Sequence, residues 1–488
     1  MKVSRSIFWP VCGIVVLLLI KIYLQLHFGY TTSEYLHLHR SWTLLHFGQD
    51  EMGHFLPFIF SSPSGYEHPL LDYLLVPLAN FPFAGFIWEL ILWFTPAVLL
   101  IATYANFLPG FVFMATPIFL WPGYWSAKLF SLFFVLLVTS LHRKSPPFFI
   151  IVLSLLFLTS AEAFLLLPII LLGFMIVNHK YWRHFLITLV LSGSIFLLVG
   201  LIPGFHKSYI TNHFGIFFDS ELVTTINSLR GEHIPNILVK LLHNKLSFIY
   251  LLLHTITSGI NPSFLFGLGD RDIFSLSQKV PLLPITFLPV LLYFLFRSKR
   301  AFNMHLWIMP TALFLASLKA PVLLEKQLFI FAVAIILVVG HKFQRILIIP
   351  TVLWLGAMAY FSASFLPLQL QIELNQGLIA VTKLPYHLTT LLTDNIYPDP
   401  GPFLAYTLKS TPPRVSVSYQ SRYYIRQVGP IEIVSPADPR LRESEGIFIV
   451  SKDQLSPYLA STYAPISFDN SGQPVLYRVF QYDVTKQP

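Results

Sequence analysis

Apolar residues in this chain come in long unbroken runs, separated by short polar clusters. A helix needs about 20 mostly apolar residues to cross a bilayer, with a range of roughly 17–25. Runs of that kind fall at about 7–27, 84–105, 108–122, 126–141, 147–160, 163–178, 185–203, 281–297, 305–319, 327–341 and 346–366. The pattern predicts about 11 transmembrane helices, the shorter of them, such as 147–160, tilted or supported by neighbours. The first run follows a basic start and has no small-residue cleavage site after it, so it reads as an uncleaved span rather than a leader.

The basic residues between runs set the orientation. Lys2 and Arg5, Arg143 and Lys144, Lys180 and Arg183, Arg297 with Lys299 and Arg300, and Lys342 with Arg345 all fall on one side of the predicted spans. Positive clusters stay in the cytoplasm, so the N-terminus is expected there and the tail outside. Two long loops, about 28–83 and 204–280, then lie on the outer face. Loops of that length are usually functional or disordered. Each includes a stretch of helical apolar spacing, "HPLLDYLLVPLANF" and "NILVKLLHNKLSFIYLLLHTI", suited to the membrane interface.

After residue 366 the pattern changes. "RVSVSYQSRYYI" and "PVLYRVFQY" alternate as strands do, "GIFIVS" is a short apolar run, and "YPDPGP" and "DNSGQP" mark turns. The expected fold is an all-α polytopic membrane domain over 1–366 with a small extracytoplasmic α+β domain over 367–488.

Composition agrees with this picture. The 488 residues are 55% hydrophobic and 11% charged, where soluble domains carry about 25% charged residues. The net charge of +9 sits in topology clusters rather than a basic face, which argues against nucleic acid. Cys12 is the single cysteine and excludes an intramolecular disulfide.

Acids near spans are costly and point to function. Glu34 sits just beyond the first span, Glu89 inside the second, Glu162 between the fifth and sixth, and Glu325 before the tenth. A carboxylate at the interface has the proton affinity of a general base, and a helix-start acid is the plainer alternative. Asp50 and Glu51 diverge by about 100° if helical, and Gly48 and Gly53 beside them suggest a turn. His37 and His39 lack the helical His-Glu-x-x-His spacing, so no metal site is expected. Cations mapping to the outer face, Lys128, Lys207, Arg230, Lys240, Lys245, Arg271, Lys279 and Lys319, are suited to a phosphate headgroup or to anionic lipid.

The first outer loop, "SEYLHLHRSWTLLHFGQDEMGHFLPFIFSSPSGYEHPLLDYLLVPLANF", resembles bacterial GT-C glycosyltransferases related to protein O-mannosyltransferases and the lipid A 4-amino-arabinose transferase. "HNKLSFIYLLLHTITSGINPSFLFGLGD" resembles that family's later long loop, so the likeness spans most of residues 1–300. It implies a metal-independent, inverting enzyme of the bacterial cytoplasmic membrane with no cofactor. The donor would be a polyprenyl-phosphate-linked sugar and the acceptor a lipid, glycan or protein. Carried over residue by residue, it makes Glu34 or Glu162 the catalytic carboxylate. Asp50, Glu51 and His68 would shape the acceptor loop, and Arg230, Lys245, Arg271 and Lys319 would bind phosphate. One departure stands out: where the family carries its leading acid this chain has Ser33, and only Glu34 remains. A non-catalytic relative that binds lipid-linked sugar or organises envelope assembly is the alternative. A transporter is disfavoured by the lack of internal repeats.

Overall fold

The computed structural model describes residues 5–28, 30, 32–62, 65–105, 107–143, 145–214, 237–261, 265, 283, 304–318, 325–342, 390–393, 400–410, 415–417, 425–429, 431–434, 447–451, 463–468 and 474–479. The architecture is mostly α-helical. It divides into two compact units, Met1–Leu24 with Leu90–Ser364, and Gln25–Glu89 with Phe365–Pro488.

The helices begin with α1 (Arg5–Phe28), α2 (Thr32–Phe47), α3 (Leu70–Leu75) and α4 (Ala84–Tyr104). Then come α5 (Phe107–Ala115), α6 (Pro117–Leu120), α7 (Trp125–Arg143), α8 (Pro146–Thr159) and α9 (Ala163–Val177). They continue with α10 (Trp182–Val199), α11 (Phe205–His213), α12 (Ile237–Ile260), α13 (Met304–Ser317) and α14 (Glu325–Lys342). Among the described residues, Ala84–Tyr104, Trp125–Arg143 and His179–Val199 are long and apolar enough to cross a membrane. Shorter apolar helices lie within α1, α8, α9, α12, α13 and α14. The spans expected at 281–297 and 346–366 lie outside the described residues.

One predicted span is not a single helix. The run 108–122 breaks into α5 and α6 at Thr116, which is extended (φ −72°, ψ 125°). Pro117 has no N–H to continue the α5 ladder, and its ring disfavours the helical conformation of the residue before it. Hydropathy registers the avoidance of water and misses this break. The far end of α6, where Trp121 turns extended, makes an acceptor. The freed carbonyls at the end of α6 receive a cation from inside an apolar helix, as Lys21 donates to Leu120 O (2.7 Å) and Trp121 O (3.3 Å). Lys128, expected at the outer surface, is buried and donates to the same Trp121 carbonyl.

Within the first unit, packing is close and specific. Phe119 stacks on Phe113 (4.0 Å) and meets Phe329 edge-on (5.4 Å), which ties α5 and α6 to α14. The Thr103 and Thr139 hydroxyls bond at 2.9 Å across α4 and α7. Gly173 of α9 lies against the Trp307 indole, where a Cβ would come within 1.8 Å of Nε1. That Nε1 donates to Ile169 O at 3.1 Å.

The second unit joins Gln25–Glu89 to the tail. Strands β1 (Phe60–Ser62) and β2 (Gly65–Glu67) form a hairpin. The tail strands are β3 (Thr390–Thr393), β4 (Val415–Val417), β5 (Ile425–Val428), β6 (Ile431–Val434), β7 (Ile447–Ser451), β8 (Tyr463–Phe468) and β9 (Pro474–Val479). The alternating stretches read as strands in the sequence contain β4 and β9, the first stretch ends where β5 begins, and the short apolar run is β7. The seven strands form one mixed sheet, ordered β4-β5-β6-β3-β7-β9-β8, with β3 parallel to both its neighbours. Helix α15 (Gly401–Thr407) is buried from Gly401 to Ala405 and packs on α2, with Tyr35 edge-on to Phe403 at 4.9 Å.

Candidate functional site

Each unit contains a cluster of buried charge. In the second unit, α2 supplies Glu34, His37, His39 and Arg40, all buried. Arg40 Nε donates to both Glu51 oxygens (2.9 and 3.0 Å), Nη2 donates to Oε1 (2.7 Å), and Nη1 reaches Glu67. Its guanidinium also lies over Phe60, 5.0 Å from the ring centre. Burial opposes the Arg40 charge, but the Glu51, Glu67 and Asp72 carboxylates outweigh it and raise its pKa well above the ordinary value. His37 Nδ1 pairs with Asp72 at 2.8 Å. Burial lowers the His37 pKa, and the Asp72 carboxylate more than reverses this, so it stands above the usual imidazole value.

Asp50 and Glu51 do different things, as their divergence on the backbone implied. Asp50 Oδ1 accepts from the Met52 and His54 amides (2.9 and 2.8 Å), closing a turn in which Gly48 and Gly53 take positive φ (65° and 84°). Glu51 turns inward to Arg40. His68 is buried just before α3. Glu34 lies in the first turn of α2, where the helix dipole favours a negative charge, while Ser33 beside it is exposed.

In the first unit, Glu162 precedes α9 at the junction with α8. It accepts from the Ser160 hydroxyl, sits 3.5 Å from Lys326 Nζ and 3.7 Å from His213 Nε2. His213 Nδ1 donates to the Tyr209 carbonyl (2.8 Å), and the two rings stack at 4.3 Å. The donation leaves Nε2 to face the carboxylate. Burial raises the Glu162 pKa, but Lys326, His213 and Ser160 reverse this and hold it well below the usual carboxylate range.

Sequence reasoning missed the partners. Arg40, Asp72, His213 and Lys326 carry no local signal, since Glu162 and Lys326 are 164 residues apart and His37 and Asp72 are 35 apart. Arg230, Arg271 and Lys319 lie outside the described residues, and Lys245 is placed only as a backbone position in α12. Among the described residues, no group of three His, Cys, Asp or Glu side chains is placed to hold a metal ion.

No family model matches the chain, and no curated protein matches it. Among solved structures, the crystal structure of ArnT from Cupriavidus metallidurans bound to undecaprenyl phosphate is similar, with a TM-score of 0.45 and 12% identity. The likeness covers 97% of this chain and 98% of that one. At that distance it assigns neither family nor activity.

Proposed function

We propose that the chain is a membrane glycosyltransferase of the GT-C type, moving a sugar from a polyprenyl-phosphate donor to an acceptor on the outer face of the membrane. The reading rests on the layout of the first outer loop, and one observation carries the site. Glu34 is a buried carboxylate in the first turn of the helix that directly follows the first apolar helix. A lipid-borne donor needs its base at that membrane rim.

In this reading Glu34 takes the proton of the acceptor hydroxyl. The acceptor oxygen attacks the anomeric carbon, the bond from that carbon to the phosphate oxygen breaks, and the polyprenyl phosphate leaves. Arg230, Lys245, Arg271 and Lys319 are the proposed partners of that phosphate. Asp50, Glu51, Arg40 and His68 hold the loop that presents the base. Glu162 is assigned to positioning rather than proton transfer, because a carboxylate held far below its ordinary pKa is a weak base. On this reading the N-terminus lies in the cytoplasm and the tail domain outside, as the positive clusters suggest.

Transfer from lipid-linked sugar, measured in membranes carrying Glu34→Gln, tests the assignment. Loss of transfer with normal protein levels is expected, and undiminished transfer refutes it. The exposed Ser33 favours a second reading, a non-catalytic relative. If the native chain is inert and Ser33→Asp creates transfer, that second reading holds.

A further inference from the structure

Helix α15 ends in a way that stability alone would not select. The Leu408, Lys409 and Ser410 amides donate back to Leu404 O (2.9 Å), Tyr406 O (3.2 Å) and Ala405 O (3.1 Å), closing the helix with a left-handed residue. That residue is Lys409, with φ of 49°. Glycine is the usual occupant, and a side chain there costs about 1–2 kcal/mol. A cation near a helix C-terminus is favourable, but any position in the last turn would supply it.

The left-handed placement achieves something more particular. The Lys409 ammonium sits 3.6 Å from the centre of the Tyr406 ring and 5.5 Å from that of Trp42 on α2. Trp42 continues into His46 (4.6 Å) and Phe47 (5.7 Å), both exposed. Lys409 is itself exposed and pairs with no carboxylate among the described residues.

His39 adds an independent sign. Its ring lies nearly parallel to Trp42 (6.4 Å, 19°). It is fully buried, and neither ring nitrogen has a hydrogen-bond partner among the described residues. An unmet buried polar group costs about 1–3 kcal/mol. Two local choices against stability, side by side, mark a place kept for function.

We propose that Trp42, His46, Tyr406 and Lys409 form a saccharide-binding subsite. The apolar face of a sugar ring packs against the exposed His46 and the part of Trp42 left open beside it, and the Lys409 ammonium donates to its hydroxyl or phosphate oxygens. Taking this subsite as the acceptor's makes the acceptor a saccharide. That extension rests on the transfer reading, while the binding itself does not.

The test uses the full-length protein in detergent, labelled with 5-fluorotryptophan, with the Trp42 resonance identified by its loss in Trp42→Phe. Glucose, glucose 6-phosphate and inorganic phosphate are titrated separately. A saturable shift of the Trp42 resonance with either sugar is expected, the phosphorylated one tighter if the ligand is anionic. Lys409→Gly suits the left-handed position, so the fold is kept while the ammonium is removed, and it should weaken binding at least tenfold. No shift with either sugar, an equal shift with phosphate alone, or undiminished binding in Lys409→Gly overturns the subsite. Sugar binding that survives Glu34→Gln while transfer is lost supports both assignments. Transfer that persists in a protein binding neither sugar overturns the subsite alone.

Discussion

His39 should make this protein acid-sensitive in a way that a single substitution removes. Burial pushes its pKa down to about 3, and the nearby Lys409 and Arg40 charges add to the effect. In the unfolded chain the imidazole takes a proton near pH 6.5. Between those values the unfolded state binds the proton and the folded state does not. Stability is therefore full above pH 6.5 and falls as the pH drops toward 3. Each pH unit in the window is worth about 1.4 kcal/mol, so lowering the pH from 7.5 to 5.0 should cost about 2 kcal/mol at this site. His39→Leu has no proton to bind and loses only an unmet polar group. At pH 7.5 it should be as stable as the native chain or more so, by up to about 2 kcal/mol. His37 titrates in the opposite sense, because its raised pKa adds stability as it is protonated, and it is common to both proteins. The difference between the two pH profiles isolates His39. Tryptophan-fluorescence melts of both, at one scan rate, should show the native chain losing about 4–8 °C more than His39→Leu between pH 7.5 and 5.0. Parallel profiles would refute the buried, neutral, unpaired imidazole.

Arg40→Leu leaves the Glu51 carboxylate buried without its partner and should cost about 3–5 kcal/mol, read as a large loss of folded protein in pulse proteolysis. The double variant Arg40→Leu with Glu51→Leu should recover much of that loss, and no recovery would refute the pairing. Glu162→Gln should abolish the acid sensitivity that its depressed pKa confers. That stability is present in full above the ordinary carboxylate pKa and shrinks as the pH falls from there toward the depressed folded value, so the gap between wild type and variant in melts should narrow steadily from about pH 5 to about pH 3. Gly173→Ala should destabilise the bundle by about 1–3 kcal/mol through the clash with Trp307, and Trp307→Leu in the same chain should relieve most of it.

The hydrophobic runs alone place nearly every helix of the first unit among the described residues, because burial in lipid or in a bundle is a property of consecutive residues. Alternation in the tail likewise marks β4 and β9, since period two is written in the local sequence. Gly48, Asp50 and Gly53 announce their own turn. The break at Pro117 was legible too, as backbone chemistry that hydropathy averages away.

What α2 packs on, and what its charges meet, was decided in three dimensions. The tail helix α15 lies against α2 more than 350 residues after it in sequence, and the Trp42–Lys409 contact follows from that packing. Arg40 finds Glu51, His37 finds Asp72, and Glu162 finds Lys326 only once helices have met. Sequence spacing encodes which face of an element avoids water. It does not encode which distant face arrives opposite, and a buried charge takes its role from that arrival. Glu34 and Glu162 look alike in the sequence as acids beside spans. Tertiary structure gives Glu162 a cation that holds its proton off, and it places Glu34 at the head of α2.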